Sequence, residues 1–85
     1  MIDDIRYLLV FARIVETGSV SGAATALQLS AATVSAHLSK LEHSMGTALL
    51  YRNTRKLSLT PAGAKLYTSA QAMQQLYANE VLAFK

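Results

Sequence analysis

Two short helical segments with almost nothing between them constrain this chain more than any other feature. Residues 21–28 read SGAATALQ and residues 30–44 read SAATVSAHLSKLEHS, separated by Leu29 alone. Ser21 and Ser30 each suit an N-cap, where a side-chain oxygen accepts an otherwise unpaired backbone N–H. So short a joint forces the helices to cross while touching, and Ala23 and Ala24 are small enough to allow it. Leu27, Leu29, Val34 and Leu38 are expected to fill the space between them, with Leu29 and Val34 at the spacing of a hydrophobic staple. Val34, Leu38, Leu41 and Met45 follow one another by four, three and four, which predicts an inward stripe ending at Gly46. The opposite face then carries Ala32, Ser35, Ala36, Ser39, Lys40 and His43.

The flanking segments surround this pair with further helix and one hairpin. Ile5, Leu8, Leu9, Ala12 and Val15 recur at helical spacing, with Tyr7, Val10, Phe11 and Ile14 beside them. A helix over about 5–17 is predicted, buried on more than one side, capped by Asp3 or Asp4 and ended by Gly18. In residues 49–60, LLYRNTRKLSLT, Leu57 and Leu59 alternate with Ser58 and Thr60, and Asn53-Thr54 suits a turn. A small hairpin with a basic tip is expected. Thr60-Pro61 places a cap before a proline at the first helical position, so a last helix runs from Pro61 towards the end. Leu66, Ala70, Met73, Tyr77, Val81 and Phe84 form its seam.

Composition narrows the class. At 85 residues the chain holds one small domain, and 52% hydrophobic against 15% charged residues excludes a disordered chain. It has no cysteine, which removes disulfides, thiolate metal sites and a cysteine nucleophile. The net charge is +3, concentrated in residues 31–60, where Lys40, Arg52, Arg55 and Lys56 face one Glu42. That patch fits an anionic partner, although a merely solvated basic face would carry the same charges. Acidic and basic residues interrupt the apolar N-terminus, so neither a secretory leader nor a membrane span is expected, and a cytoplasmic location follows.

Two crossed helices with a tight turn are the sequence image of a helix-turn-helix. Small and polar side chains on the second helix would fit a DNA major groove, and the Ser30 terminus would aim backbone N–H groups at phosphate. Arg52, Arg55 and Lys56 could reach phosphates or a narrow minor groove. Arg52 could instead pair with a carboxylate or cap carbonyls. The exposed seam of the last helix would form an interface, while its first half could lie across helix one.

The run GSVSGAATALQLSAATVSAHLSKLEHSMGTALLYRNTRKLSLTPAG resembles the N-terminal DNA-binding domain of LysR-type transcriptional regulators. The matching positions are Gly18-Ser19, Ala23-Ala24, Leu27, Ser30, Ser35, Leu38, Leu41-Glu42, Gly46, Leu49, Arg52, Leu59-Thr60 and Ala62-Gly63. The resemblance implies a mainly α, winged helix-turn-helix fold: a three-helix core, a β-hairpin wing and a long C-terminal linker helix that pairs two subunits. Residues 1–60 would be the DNA-binding domain, with the motif at about 20–39 and the wing at about 49–60, and residues 61–85 the dimerisation helix. Phe84 and Lys85 carry no stop signal, so the chain is expected to continue into an effector-binding domain that takes a small molecule. Within the segment itself no cofactor is expected. Double-stranded DNA and a second copy are the expected partners, with a higher oligomer open for a longer protein.

DNA contact is expected from Ser30, Ala31, Ala32, Thr33, Ser35, Ala36, His37, Ser39 and Lys40 on the third helix, and from Arg52, Asn53, Thr54, Arg55 and Lys56 on the wing. Leu66, Ala70, Met73, Tyr77, Val81 and Phe84 are expected at the dimer interface. Three positions depart from the family: Ala31 stands where Gln is common, Ala32 where Pro is common, and Ala36 where Arg is common. Readout is therefore expected to rest on thymine methyls, hydroxyls and DNA shape rather than on long polar side chains. Enzyme chemistry finds no support. His37 and His43 lie six apart, too far round a helix for a metal pair, and Ser35 and His37 do not face each other. The alternative is a winged-helix module that binds proteins or dimerises without touching DNA.

Overall fold

The computed structural model describes residues 5–51 and 57–83, with side chains as far as Val81. Among these are helices α1 (Ile5–Thr17), α2 (Val20–Leu27) and α3 (Ala31–Met45), strands β1 (Leu50–Tyr51) and β2 (Ser58–Leu59), and helix α4 (Pro61–Ala83).

Helix α1 is the centre of the domain because its apolar residues occupy two stripes. Leu8, Phe11 and Ala12 belong to one side, Val10 and Ile14 to the other, and all are buried. It can therefore pack against α2, α3 and α4 together. Gly18 ends it at φ 82°, and its N–H donates to the Ile14 carbonyl at 2.9 Å.

Helix α2 starts two residues earlier than the capping expectation. Ser19, not Ser21, is the cap: its hydroxyl accepts from the Gly22 N–H at 2.8 Å. The cause is the left-handed Gly18, after which the chain is extended at Ser19 (φ −162°, ψ 158°) and can turn straight into helix. Ser21 is an exposed first-turn residue. Gln28 closes α2 in the left-handed region at φ 59°, and the Leu29 N–H returns to the Ala24 carbonyl at 2.9 Å.

Helix α3 keeps its expected start and stop. Ser30 caps it through the Thr33 N–H, and Gly46 ends it at φ 72°. Val34, Leu38 and Leu41 are buried, whereas Met45, the last member of the stripe, is 40% exposed. Leu29 is also exposed, so the space between α2 and α3 is filled by Ala23, Ala24, Val34 and Leu38, with Leu27 packed at its edge.

The hairpin pairs Leu50 with Leu59 and Tyr51 with Ser58, antiparallel. Its alternation is that of a half-buried ladder: Leu50 points into the core and Tyr51 out. Thr60 then caps α4, accepting from the Gly63 N–H at 3.0 Å. Ala62, Leu66, Tyr67 and Met73 pack on the core, and Phe11 and Tyr67 meet edge to face with ring centres 6.4 Å apart. Beyond them Leu76 and Tyr77 are 63% and 64% exposed. Ala70 is fully buried, so it serves the chain's own core and not a surface for a second copy. Helical spacing alone does not distinguish a buried position from an exposed one, which is why sequence grouped Ala70 with Tyr77.

Candidate nucleic-acid interface

The inward stripe of α3 fixes which side chains face out. With Val34, Leu38 and Leu41 locked in the core, Ala31, Ala32, Ala36, Ser39, Lys40 and His43 are all exposed. Thr33 and Ser35 are half-buried at the edges of this face. The structure thus brings together three methyl groups near the helix start, and a hydroxyl, an ammonium and an imidazole farther along.

The hydroxyls at the helix start are already occupied. Ser30 Oγ accepts from the Thr33 N–H at 3.0 Å and donates to Thr33 Oγ1 at 2.8 Å. The Ser30 hydroxyl is thereby engaged within the first turn, which presents the Ala31 and Ala32 methyls beside it.

His37 departs from its expected place. Three residues after buried Val34, it lies at the flank of the inner face and turns towards α1, with its ring centre 4.9 Å from that of Tyr7 at a tilt of 47°. Its Nδ1 is buried and makes no hydrogen bond. His37 is a half-buried edge residue of the α1–α3 contact. His43 lies on the exposed side, so the two imidazoles do not converge, and among the described residues no group of three or more His, Cys, Asp or Glu could hold a metal.

Two residues to which the sequence assigns no contact support this face. Tyr7 lies beneath it: the Lys40 ammonium sits 5.8 Å from the Tyr7 ring centre, within cation–π range, so an α1 aromatic steadies an exposed α3 cation. Tyr7 registered only as one more member of an apolar stripe. Glu42 is the second. Its Oε2 accepts from the Leu49 N–H at 2.8 Å and from the Leu50 N–H at 3.4 Å. No local periodicity signals a contact that closes a loop of seven residues.

Arg52, Asn53, Thr54, Arg55 and Lys56 lie outside the described residues, as does Phe84. The strands that carry residues 52–56 are described, and exposed Tyr51 stands at their entrance. No described helix is long and apolar enough to cross a membrane.

A family model described as bacterial regulatory helix-turn-helix protein, lysR family, matches residues 5–64. The chain is 47% identical over 66 residues to the "Probable hydrogen peroxide-inducible genes activator" of Mycobacterium avium, a match covering 78% of this chain and 21% of that protein. It superposes on the oxidized form of Corynebacterium glutamicum OxyR with a TM-score of 0.90 at 32% identity, over 100% of this chain and 28% of that one. It is also similar to the protein in the BenM_DBD/catB site 1 DNA complex, with a TM-score of 0.86 at 28% identity over 95% of this chain and 91% of that one. The chain spans about a fifth to a quarter of the length of the curated relatives it matches. By fold, by the order of its elements and by the span of the family match, the chain belongs to the lysR family of bacterial regulatory helix-turn-helix proteins.

Proposed function

We propose that this chain is the DNA-binding end of a LysR-type transcriptional regulator acting from the cytoplasm. Helix α3 enters the major groove, the hairpin with its basic residues 52–56 lies on the backbone or minor groove, and the outer half of α4 pairs two copies. The observation that carries this reading is the α3 face itself. Its inner side is held by the core, and its outer side offers the small Ala31, Ala32 and Ala36 near the helix start and the Lys40 cation farther along. Similarity to the protein of the BenM_DBD/catB site 1 DNA complex supports it.

The readout follows from the exposed alanines. Ala31 and Ala36 offer methyls where the hydrogen-bonding Gln and Arg are common in the family, and Ala32 adds a third methyl in place of the usual Pro, so thymine C5-methyl contacts and DNA shape carry sequence preference. Ser39 and Lys40 add a hydroxyl and a phosphate-seeking charge. An effector-binding domain beyond the chain would take a small molecule; one structural relative is titled as the regulator LysG with bound effector Arg.

The test is a mobility shift on random duplex DNA at low and high salt. Binding that weakens steeply with salt is expected, because phosphate contacts release counterions. Absence of salt-sensitive binding at micromolar protein would overturn the DNA reading and leave a protein-interaction role. Selected sites with a strong G·C requirement at the α3 contacts would overturn the methyl readout alone.

A further inference from the structure

We propose that Glu42 is a positioning residue, one that holds the hairpin at a set distance and angle from the reading helix. The inference rests on the DNA-binding role just proposed for its consequence, and on hydrogen-bond geometry for its cause.

Glu42 lies in the last turns of α3, directly after the buried Leu41 and two residues after the exposed Lys40. Its Oε2 accepts from two successive backbone N–H groups, those of Leu49 and Leu50. Both of these residues are buried, at 0% and 2% exposure, so water cannot readily replace the carboxylate. Two donors meeting one oxygen define a direction as well as a distance, and an ionised acceptor makes the stronger kind of hydrogen bond.

The same short segment is gripped from the other side. The Leu49 carbonyl accepts from the Thr60 N–H at 3.1 Å, and the Ala48 carbonyl accepts from Thr60 Oγ1 at 2.8 Å. Residues 48–50 are thus held by α3 through Glu42 and by the start of α4 through Thr60. Since β1 begins at Leu50, the base of the hairpin takes its direction from Glu42, and the basic residues 52–56 follow it in the chain. Apolar packing of Leu49 and Leu50 would tolerate some sliding. The 2.8 Å bond from the Leu49 N–H to the carboxylate opposes it.

The experiment compares the full chain with Glu42→Ala and Glu42→Gln. Amide hydrogen exchange is followed without DNA, and affinity for one duplex is measured across salt concentrations, with the binding-competent fraction counted by stoichiometric titration. In Glu42→Ala, exchange at Leu49 and Leu50 is expected to speed up about tenfold or more, while amides from Val34 to Leu41 stay protected. The slope of log K against log salt is expected to become shallower by up to about 3 per protomer, the share of Arg52, Arg55 and Lys56. Glu42→Gln keeps a carbonyl acceptor at the same reach and is expected to restore most of both.

Unchanged exchange at Leu49 and Leu50 would overturn the proposal. So would a wild-type salt slope in Glu42→Ala, with the loss of binding explained by a smaller competent fraction, since that is the mark of a fold role alone. If the parent chain shows no salt-sensitive binding, the DNA reading fails by itself, and the exchange result still supports or overturns the hold of Glu42 on the hairpin.

Discussion

Gly63 is a residue whose replacement has nowhere to go. A Cβ there would collide with the Leu49 carbonyl oxygen and lie 2.9 Å from its carbon, and both are backbone atoms that cannot rotate aside. Gly63→Ala is expected to destabilise the domain at or above the upper end of the usual overpacking cost of about 1–3 kcal/mol, read from the urea midpoint. The two serines at the start of α2 separate in the same assay. Ser19 holds the Gly22 N–H, so Ser19→Ala should cost about 1 kcal/mol, whereas exposed Ser21→Ala should stay within about 0.5 kcal/mol. Equal losses at the two serines would contradict the cap assignment.

At the scale of the element, α3 is where sequence and structure can be compared most closely. Its methyl face predicts a simple chemical test: replacing thymine by deoxyuridine at the α3 contacts removes only the C5-methyl. Each buried methyl is worth about 0.8 kcal/mol, so affinity should fall about fourfold per contact, measured by competition on otherwise identical duplexes. No change would show that the alanines merely clear space. The inward stripe of Val34, Leu38 and Leu41, the Ser30 cap and the Gly46 stop were legible because each is a local signal written within a few residues. Ser19 was misplaced by two residues because Ser19 and Ser21 offer the same hydroxyl, and only the left-handed turn at Gly18 distinguishes them. The contacts of His37 and Glu42 were hidden for another reason. Their partners, Tyr7 and the Leu49 N–H, come from other parts of the chain, and no periodicity within a helix encodes them.

For the whole molecule, the long axis of 41 Å and the 23-residue α4 set the proportions. Half of α4 is used at home: Ala70 is buried, and Leu66 and Met73 pack on the core. The outer half leaves Leu76, Tyr77 and Val81 exposed, more apolar surface than a lone helix end needs. The double variant Leu76→Asp, Tyr77→Asp is expected to sediment as a monomer with unchanged helical content. With Lys40, Arg52, Arg55 and Lys56 each taken to meet one phosphate, its salt slope should fall from about −7 to about −4, as phosphate contacts drop from two protomers' worth to one. A dimer that survives both changes would place the interface elsewhere. The grip on residues 48–50 also bears on how such a domain can vary in length. Glu42, Thr60 and Gly63 pin the chain before Tyr51 and after Ser58, so an insertion or deletion in either flank must break one of those contacts. Between Tyr51 and Ser58 it need break none, and divergent copies of this domain can gain or lose residues there while the rest of the fold keeps its spacing.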